Sequence, residues 1–220
     1  RSGGRFRAGG CGPPMEHVLE AERLGYHSVW CGEAYGNDAV SPIAWVLART
    51  TRINAGTGIM QMSARTPACA AATAATLQSM SGNRFLMGIG PSGPQVIEGW
   101  HGMPYGKPLG RTREYIEIVR KVFAREAPLT HKGEHYQITE MDGRPKPVQK
   151  PHPPFLIGGG GKRMLTYAAQ EAQIVGLAPR LPGPGKADIR SVLAAETLEK
   201  VEWVRAAAGE RFAELELNTY

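Results

Sequence analysis

A run of four glycines at 158–161, followed by two basic residues, could bind a phosphate group. Glycines allow backbone N–H groups to approach an oxyanion closely. The run lies where a helix is predicted to begin, so the helix N-terminus would add positive potential. The alternative is a flexible strand-to-helix turn with two solvated cations. The candidate phosphate ligands are Gly159, Gly160, Gly161, Lys162 and Arg163.

A second candidate site is the segment Gly56-Thr57-Gly58-Ile59, where two glycines interrupt an apolar strand. Glycine weakens a strand unless the chain must bulge or another group must approach its backbone. A flat ring lying against this backbone would explain the glycines. Side-chain packing inside a tight barrel would also explain them. The pattern therefore indicates a close approach without identifying the approaching group.

Polar side chains directly follow two of the predicted strands. Glu33 comes after an apolar run, where it could act as an acid or base or contact a substrate. The alternative for Glu33 is an ion pair with an arginine of the barrel. The segment GIGPSGPQVIEGWHG at 88–102 offers Ser92 and Gln95 as hydrogen-bonding groups. No spacing of His, Cys, Asp or Glu predicts a metal site, and no GxSxG motif predicts a hydrolase.

These candidate residues lie at the ends of predicted strands that alternate with predicted helices. Short apolar runs predict buried strands at 27–32, 53–60, 84–90, 155–161, 173–179 and from 215. Helical spacing predicts helices at 15–25, 41–50, 66–80, 111–126, 162–172 and 194–208. This alternation predicts a parallel α/β architecture.

Several local features refine this prediction. Ser41 and Thr66 each precede a proline and are predicted helix caps. The segment HKGEHYQI predicts a hairpin that turns at Lys132-Gly133, and the proline-rich segment 143–154 predicts an extended connection. In the last helix, the spacing places Leu198, Val201 and Val204 on the buried face.

The alternation is compatible with an open sheet or with a barrel. An open dinucleotide-binding sheet usually carries GxGxxG after its first strand, and neither CGEAYGNDAV nor GIGPSG has that spacing. Instead, polar or glycine-rich segments follow several strands. In a (β/α)8 TIM barrel these segments would meet at the C-terminal face, where barrel enzymes place their active sites. We therefore predict a barrel.

Composition restricts the class of protein and its partners. The chain has 220 residues, 42% of them hydrophobic, which is enough for one sizeable core. No apolar run reaches the roughly 20 residues that span a bilayer, and no signal peptide is visible, so we expect a cytoplasmic protein without membrane contact. The net charge of +6 favours anionic ligands, but the basic residues are scattered, so nucleic acid is not an expected partner. The three cysteines are widely spaced, which predicts reduced thiols.

Three long segments together resemble the luciferase-like monooxygenase superfamily. The segments AERLGYHSVWCGEAYGNDAVSPIAWVLARTTRINAGTGIMQMSARTPA and RFLMGIGPSGPQVIEGWHGMPYGKPLGRTREYIEIVRKVFARE resemble its branch dependent on the deazaflavin coenzyme F420 (also written F-420). The segment KPVQKPHPPFLIGGGGKRMLTYAAQEAQIVGL is similar to another subgroup. The resemblance covers residues 15–220.

The resemblance implies a (β/α)8 barrel with a deazaflavin or flavin ring inside its C-terminal mouth. It implies that Gly56, Thr57, Gly58 and Ile59 form a bulge behind the ring, often with a non-prolyl cis peptide. Further implied cofactor contacts are Gly90 and Ser92 at the ring and Gly159 to Gly161 at the phosphate. Glu33 would occupy a position at the site mouth.

The implied activity is hydride transfer between an organic small-molecule substrate and coenzyme F420. The alternatives are an FMN-dependent monooxygenase that uses oxygen, and a non-catalytic barrel fragment. The fragment alternative follows from two departures from the family pattern. The composition of residues 1–13 predicts an irregular or disordered, basic, glycine-rich terminus instead of the family's first strand. Members of the family also continue through two strand–helix units beyond the position of Tyr220. We therefore expect residues 14–220 to form an incomplete TIM barrel, with a sequence junction near 139–144. The sequence leaves open whether the protein forms a homodimer.

Overall fold

The computed structural model describes residues 3–5, 14–124, 128–141, 149–183 and 186–219. The strands are, in chain order, β1 (Gly3–Arg5), β2 (Ser28–Cys31), β3 (Asn54–Thr57), β4 (Met60–Gln61), β5 (Phe85–Gly90), β6 (Leu129–Lys132), β7 (Gln137–Met141), β8 (Phe155–Gly159), β9 (Ile174–Leu177), β10 (Arg180–Gly183), β11 (Lys186–Asp188) and β12 (Glu216–Thr219). The α-helices are α1 (Met15–Arg23), α2 (Val40–Arg49), α3 (Pro67–Ser81), α4 (Pro94–Ile97), α5 (Pro108–Ala124), α6 (Lys162–Glu171) and α7 (Ala194–Ala208). Two 3-10 helices cover Ile189–Val192 and Gly209–Glu214.

Eight of the strands form one parallel sheet that curls into a half-barrel. Its order is β1-β2-β3-β5-β8-β9-β12, and β4 continues the line of β3 by pairing with the end of β5. The strands β6 and β7 form the predicted hairpin, and β10 and β11 form a second one. The fold is therefore the incomplete TIM barrel that the sequence predicted.

Strand side chains alternate between two separate apolar layers. On the convex face, residues such as Val29, Phe85 and Phe155 pack with helix side chains in the main core. On the concave face a smaller cluster fills the base of the barrel, and it consists of Trp30, Leu86, Leu156 and Ile174. Because β5 and β9 are buried on both faces, their sequences are nearly continuous apolar runs.

The start of the chain differs from the sequence prediction. Gly3–Arg5 form β1, which pairs in parallel with β2, Gly3 opposite Ser28 and Arg5 opposite Trp30. Backbone pairing with β2 supplies the hydrogen bonds of such a strand, so a glycine-rich segment without apolar alternation can form it. The rest of the predicted irregular terminus lies outside the described residues.

The two predicted helix caps had different outcomes. Thr66 caps α3 as predicted, accepting a hydrogen bond from the Cys69 N–H, but α2 begins before Ser41. There, Asp38 Oδ1 accepts from the N–H groups of Val40 and Ser41, at 2.9 and 2.8 Å. An aspartate is as good a cap as serine, and it lies one turn earlier.

In the last helix, Val204 is buried and Val201 packs against the core as predicted, but Leu198 does not lie on the buried face. Leu198 is 65% exposed, whereas Lys200 is 1% exposed. The Lys200 ammonium donates to the carbonyl oxygens of Ala178 and Ser191, at 2.7 and 2.6 Å. These hydrogen bonds compensate the burial of the charge. The segment 180–188, which lies outside every predicted strand and helix, contains the hairpin β10–β11. The predicted connection at 143–154 and the junction near 139–144 lie largely outside the described residues.

Two charged side chains fix β3 in the barrel. Glu22, at the end of α1, accepts hydrogen bonds from the N–H groups of residues 51–53, at 2.7 to 3.0 Å. Arg84, which precedes β5, donates to carbonyl oxygens of Leu47, Thr50 and Ile53 at the end of α2. Both contacts satisfy backbone groups that would otherwise be unpaired where α2 ends and β3 begins.

Candidate functional site

The concave face changes character towards the C-terminal ends of the strands. Each side chain of the base cluster is followed two residues later by a glycine, so the next inward position carries no side chain. The pairs are Trp30 and Gly32, Leu86 and Gly88, Leu156 and Gly158, and Ile174 and Gly176. Gly158 and Gly176 are also register partners in neighbouring strands. We call this set of glycines the glycine layer. Gly32 is exposed and Gly158 is half-buried, so their backbone is accessible beside the apolar base cluster, a surface suited to a flat ring, whereas Gly88 and Gly176 are buried.

The pattern of a single strand does not show this layer, and Gly32 and Gly176 were not among the predicted site residues. The signal that could have identified the whole layer is the repeat of an apolar residue, any residue, and glycine in four strands: WCG, LMG, LIG and IVG. Because inward positions recur every two residues, such a repeat predicts that large side chains end at one height in the barrel. It therefore predicts a cavity at the C-terminal face.

The segment between β3 and β4 has the bulge that the resemblance implied, including a cis peptide bond between Gly58 and Ile59. The first glycine of the segment has a structural explanation. A Cβ on Gly56 would lie 2.4 Å from the Trp30 ring, so packing against the base cluster accounts for this glycine. Thr57 is buried, and its hydroxyl bonds both the carbonyl oxygen and the N–H of Gly88, at 2.8 and 3.0 Å.

Glu33 lies at the site mouth in a buried ion pair. Its Oε2 accepts hydrogen bonds from Arg65 Nη1 at 2.6 Å and from the Gln61 N–H at 2.9 Å. The side chains of Glu33 and Arg65 are only 8% and 16% exposed. The Glu33 carboxylate raises the pKa of Arg65, which keeps the guanidinium charged. This is the ion pair that the sequence left open as the alternative to an acid or base.

Gln61 is a site residue that sequence reasoning missed. It is fully buried, and it stands opposite Gly90 in the register of β4 and β5, so it belongs to the concave face. Its Nε2 donates to the Glu33 carbonyl oxygen at 2.8 Å, while its Oε1 has no hydrogen-bond partner among the described residues. A glutamine inside the apolar run GIMQM was the available signal, because buried amides are uncommon without a partner.

The segment after β5 lies beside this position. The atom nearest to a Cβ on Gly90 would be Cδ1 of Ile59, at 2.6 Å, which is the end of a flexible side chain. Ser92 has a φ of 58°, in the left-handed region. Its carbonyl oxygen accepts a hydrogen bond from the Tyr105 hydroxyl at 3.2 Å, and burial raises the pKa of that phenol. Gly90 and Ser92 therefore lie where the sequence placed them, at the C-terminal end of a central strand.

The glycine run after β8 has structural reasons of its own. A Cβ on Gly159 would lie 2.6 Å from the Met164 side chain, and one on Gly160 would lie 2.2 Å from the Pro179 carbonyl oxygen. Gly161 has open space around it and caps α6 without a side-chain hydrogen bond. Lys162 and Arg163 follow it with exposed side chains. The first turn of α6 thus offers its N–H groups and two cations to solvent.

Among the described residues, no group of three His, Cys, Asp or Glu side chains could hold a metal ion. In the same part of the chain, no helix is long and apolar enough to cross a membrane.

Comparison with solved structures confirms the fold. The coenzyme F420-dependent tetrahydromethanopterin reductase of Methanopyrus kandleri aligns with a TM-score of 0.80 at 22% identity, over 99% of this chain and 64% of that protein. An F420-dependent secondary alcohol dehydrogenase, solved with an F420–acetone adduct, aligns with a TM-score of 0.77 at 21% identity, over 93% and 63% of the two chains.

Sequence comparison gives the family. The protein Rv3520c of Mycobacterium tuberculosis, provisionally named a coenzyme F420-dependent oxidoreductase, is 43% identical over 73% of this chain and 50% of its own length. The 5,10-methylenetetrahydromethanopterin reductase of Archaeoglobus fulgidus is 32% identical over 70% and 45% of the two proteins. The chain thus spans about half the length of these relatives. The sequence profile of the luciferase-like monooxygenases matches residues 10–216, and the chain belongs to this family.

Proposed function

We propose that this chain is the ring-binding part of a coenzyme F420-dependent oxidoreductase that transfers a hydride to or from an organic small molecule. The observation that carries the proposal is the glycine layer beside the apolar base cluster, next to the bulge at Gly58-Ile59. The names of the relatives support the deazaflavin coenzyme over other flat cofactors, because they describe F420-dependent enzymes.

The residues present fit such a cofactor. The backbone at Gly32 and Gly158 offers contact area to a planar ring, and Ile59 supplies an apolar edge. Gln61 adds a buried hydrogen-bond acceptor beside it. When bound, coenzyme F420 supplies a ring carbon that accepts or gives up a hydride. The protein's own contribution is to orient the ring, to exclude water and to leave one ring face open to the substrate.

The phosphate end of the cofactor is proposed to bind at the first turn of α6. Gly161, Lys162 and Arg163 would contact it through backbone N–H groups and side-chain charge. Gly159 and Gly160 would shape this turn, since both are required by close packing against Met164 and Pro179. The net charge of +6 favours such an anionic ligand.

For Glu33 we propose a positioning role in place of acid or base chemistry. Its carboxylate is already bonded to Arg65 and to the backbone of Gln61. A carboxylate engaged in charge-assisted hydrogen bonds of this kind is occupied by the protein's own donors and is not free to contact a substrate. Glu33 therefore fixes the bulged segment against which the ring would lie.

A fluorescence titration of the 220-residue chain with coenzyme F420 and, separately, with FMN tests the proposal. We expect saturable binding of F420 that is tighter than binding of FMN. The variant Gly90→Val should weaken F420 binding at least tenfold without unfolding the protein, because the atom nearest to the added Cβ is the flexible end of the Ile59 side chain. Gly36→Val is the matched control, since Gly36 lies in an exposed turn with nothing near its Cβ position.

The outcomes separate the alternatives. Tighter binding of FMN, with oxygen uptake when reduced FMN is supplied, would replace the proposal with an FMN-dependent monooxygenase. Binding of neither cofactor by a cooperatively folding chain would identify a non-catalytic barrel fragment and refute the proposal.

A further inference from the structure

Gln61 is fixed at two points by one residue. Its backbone N–H donates to the Glu33 carboxylate at 2.9 Å, and its side-chain Nε2 donates to the Glu33 carbonyl oxygen at 2.8 Å. Glu33 is itself held by Arg65 at 2.6 Å. The orientation of the Gln61 amide is therefore set by the surrounding protein before any ligand arrives.

The orientation of the two amide arms follows from chemistry. A backbone carbonyl can only accept a hydrogen bond, so the arm that faces the Glu33 carbonyl oxygen must be the NH₂ group. The opposite arm is then the oxygen, Oε1. This assignment does not depend on distinguishing nitrogen from oxygen by position.

The Oε1 atom is a buried acceptor without a donor among the described residues. Leaving such a group unsatisfied is unfavourable, so proteins rarely retain one without a ligand, water or functional reason. Gln61 stands opposite Gly90 on the concave face, beside the glycine layer.

We propose that Gln61 Oε1 accepts the hydrogen bond of the imide N–H in the pyrimidinedione part of a flavin or deazaflavin ring. The inference rests on the proposed function and adds to it the residue that sets the rotation of the ring in its plane. Flavins and deazaflavins share this N–H, which lies between two carbonyl groups. An acceptor-only oxygen matches this N–H and mismatches both carbonyls.

The chain offers a matched control for testing this role. Gln78 on α3 is also fully buried, but all of its polar groups are bonded: Nε2 donates to the Phe85 carbonyl and to Gln149, and Oε1 accepts from the Phe85 N–H. Replacing either glutamine by methionine keeps the side-chain length and removes the amide. Only Gln61→Met should alter ring recognition.

The experiment compares 5-deazariboflavin with 3-methyl-5-deazariboflavin, in which a methyl group replaces the imide hydrogen. Dissociation constants are measured by fluorescence for the wild-type chain, Gln61→Met and Gln78→Met. We expect the wild-type chain to bind the N–H probe at least tenfold more tightly than the N-methyl probe. In Gln61→Met this ratio should fall at least fivefold, while in Gln78→Met it should stay within twofold of wild type. Thermal unfolding of each variant shows that it is folded.

Different results overturn different statements. If the wild-type chain binds coenzyme F420 but Gln61→Met keeps the full discrimination between the probes, Gln61 does not contact the imide and this inference is wrong. If a folded wild-type chain binds neither coenzyme F420 nor FMN, the proposed function fails and takes the inference with it. A ratio near one for the wild-type chain would also refute the inference.

Discussion

Replacing Gly88 by alanine should destabilise the barrel more than the same change at Gly32, where the nearest atom to the added Cβ lies at 3.1 Å. A Cβ on Gly88 would lie 1.7 Å from the carbonyl oxygen of Thr57 and 2.8 Å from its carbonyl carbon. Both atoms are backbone of the neighbouring strand, so no side-chain rotation can relieve the contact. The strands β3 and β5 would have to separate.

The magnitude follows from two contributions. Overpacking a tight interior costs about 1–3 kcal/mol. Separation of the strands would also break the two hydrogen bonds between the Thr57 hydroxyl and the Gly88 backbone, each contributing about 0.5–1.5 kcal/mol. We therefore expect Gly88→Ala to lower the free energy of unfolding by about 3 kcal/mol or more.

Urea denaturation followed by circular dichroism measures this loss. With a slope of about 1–3 kcal/mol per molar, the midpoint should fall by at least about 1 M. Gly36→Ala is the control, because nothing lies within 4 Å of its Cβ position, and it should leave the midpoint unchanged. A Gly88→Ala protein within about 1 kcal/mol of wild type would refute the close approach of the two strands.

Three further predictions concern charges and caps. Burial opposes ionisation of Glu22, but three backbone N–H donors outweigh it and lower its pKa. Its stabilisation is therefore present above the ordinary carboxyl pKa and lost as pH falls through the lowered one, so Glu22→Gln should flatten acid unfolding curves in that window. Arg65→Met leaves the buried Glu33 carboxylate without its counter-charge and should lower the free energy of unfolding by about 3 kcal/mol. Adding Glu33→Gln to this variant should recover part of the loss. Equal stability of the single and double variants would contradict the ion pair. Thr66→Ala removes the cap of α3 and should cost about 1 kcal/mol, measured as a lowered melting temperature, with Thr73→Ala in the middle of the same helix as the control.

The sequence predicted the elements that have strong local signals. Thr66 followed by Pro67 marks the start of α3, and the structure has the helix and the cap at that place. The strands β5 and β8 are apolar runs bounded by glycines and lie within one or two residues of their predicted bounds. These signals are local because caps, prolines and glycines act on the backbone within one turn.

Predictions failed where a distant part of the chain decides the structure. Residues 3–5 form a strand because β2 lies beside them. Leu198 faces outward because Lys200 reaches two carbonyl oxygens beneath α7. Neither contact can be read from helical or strand periodicity, which registers apolar spacing and not the hydrogen bonds available at the other end of a long side chain.

By itself the sequence determined the parallel α/β alternation, the barrel class and the three segments around Gly58, Gly90 and Gly161. Alternating apolar runs and helix signals act over a few residues, so the chain alone specifies them. The tertiary structure decided what those segments do. It paired Glu33 with Arg65, assigned Gly56 and Gly160 to close packing, and left the Gln61 oxygen without a donor. These outcomes depend on which strands become neighbours, because charges and steric contacts between distant segments exist only once the sheet has curled.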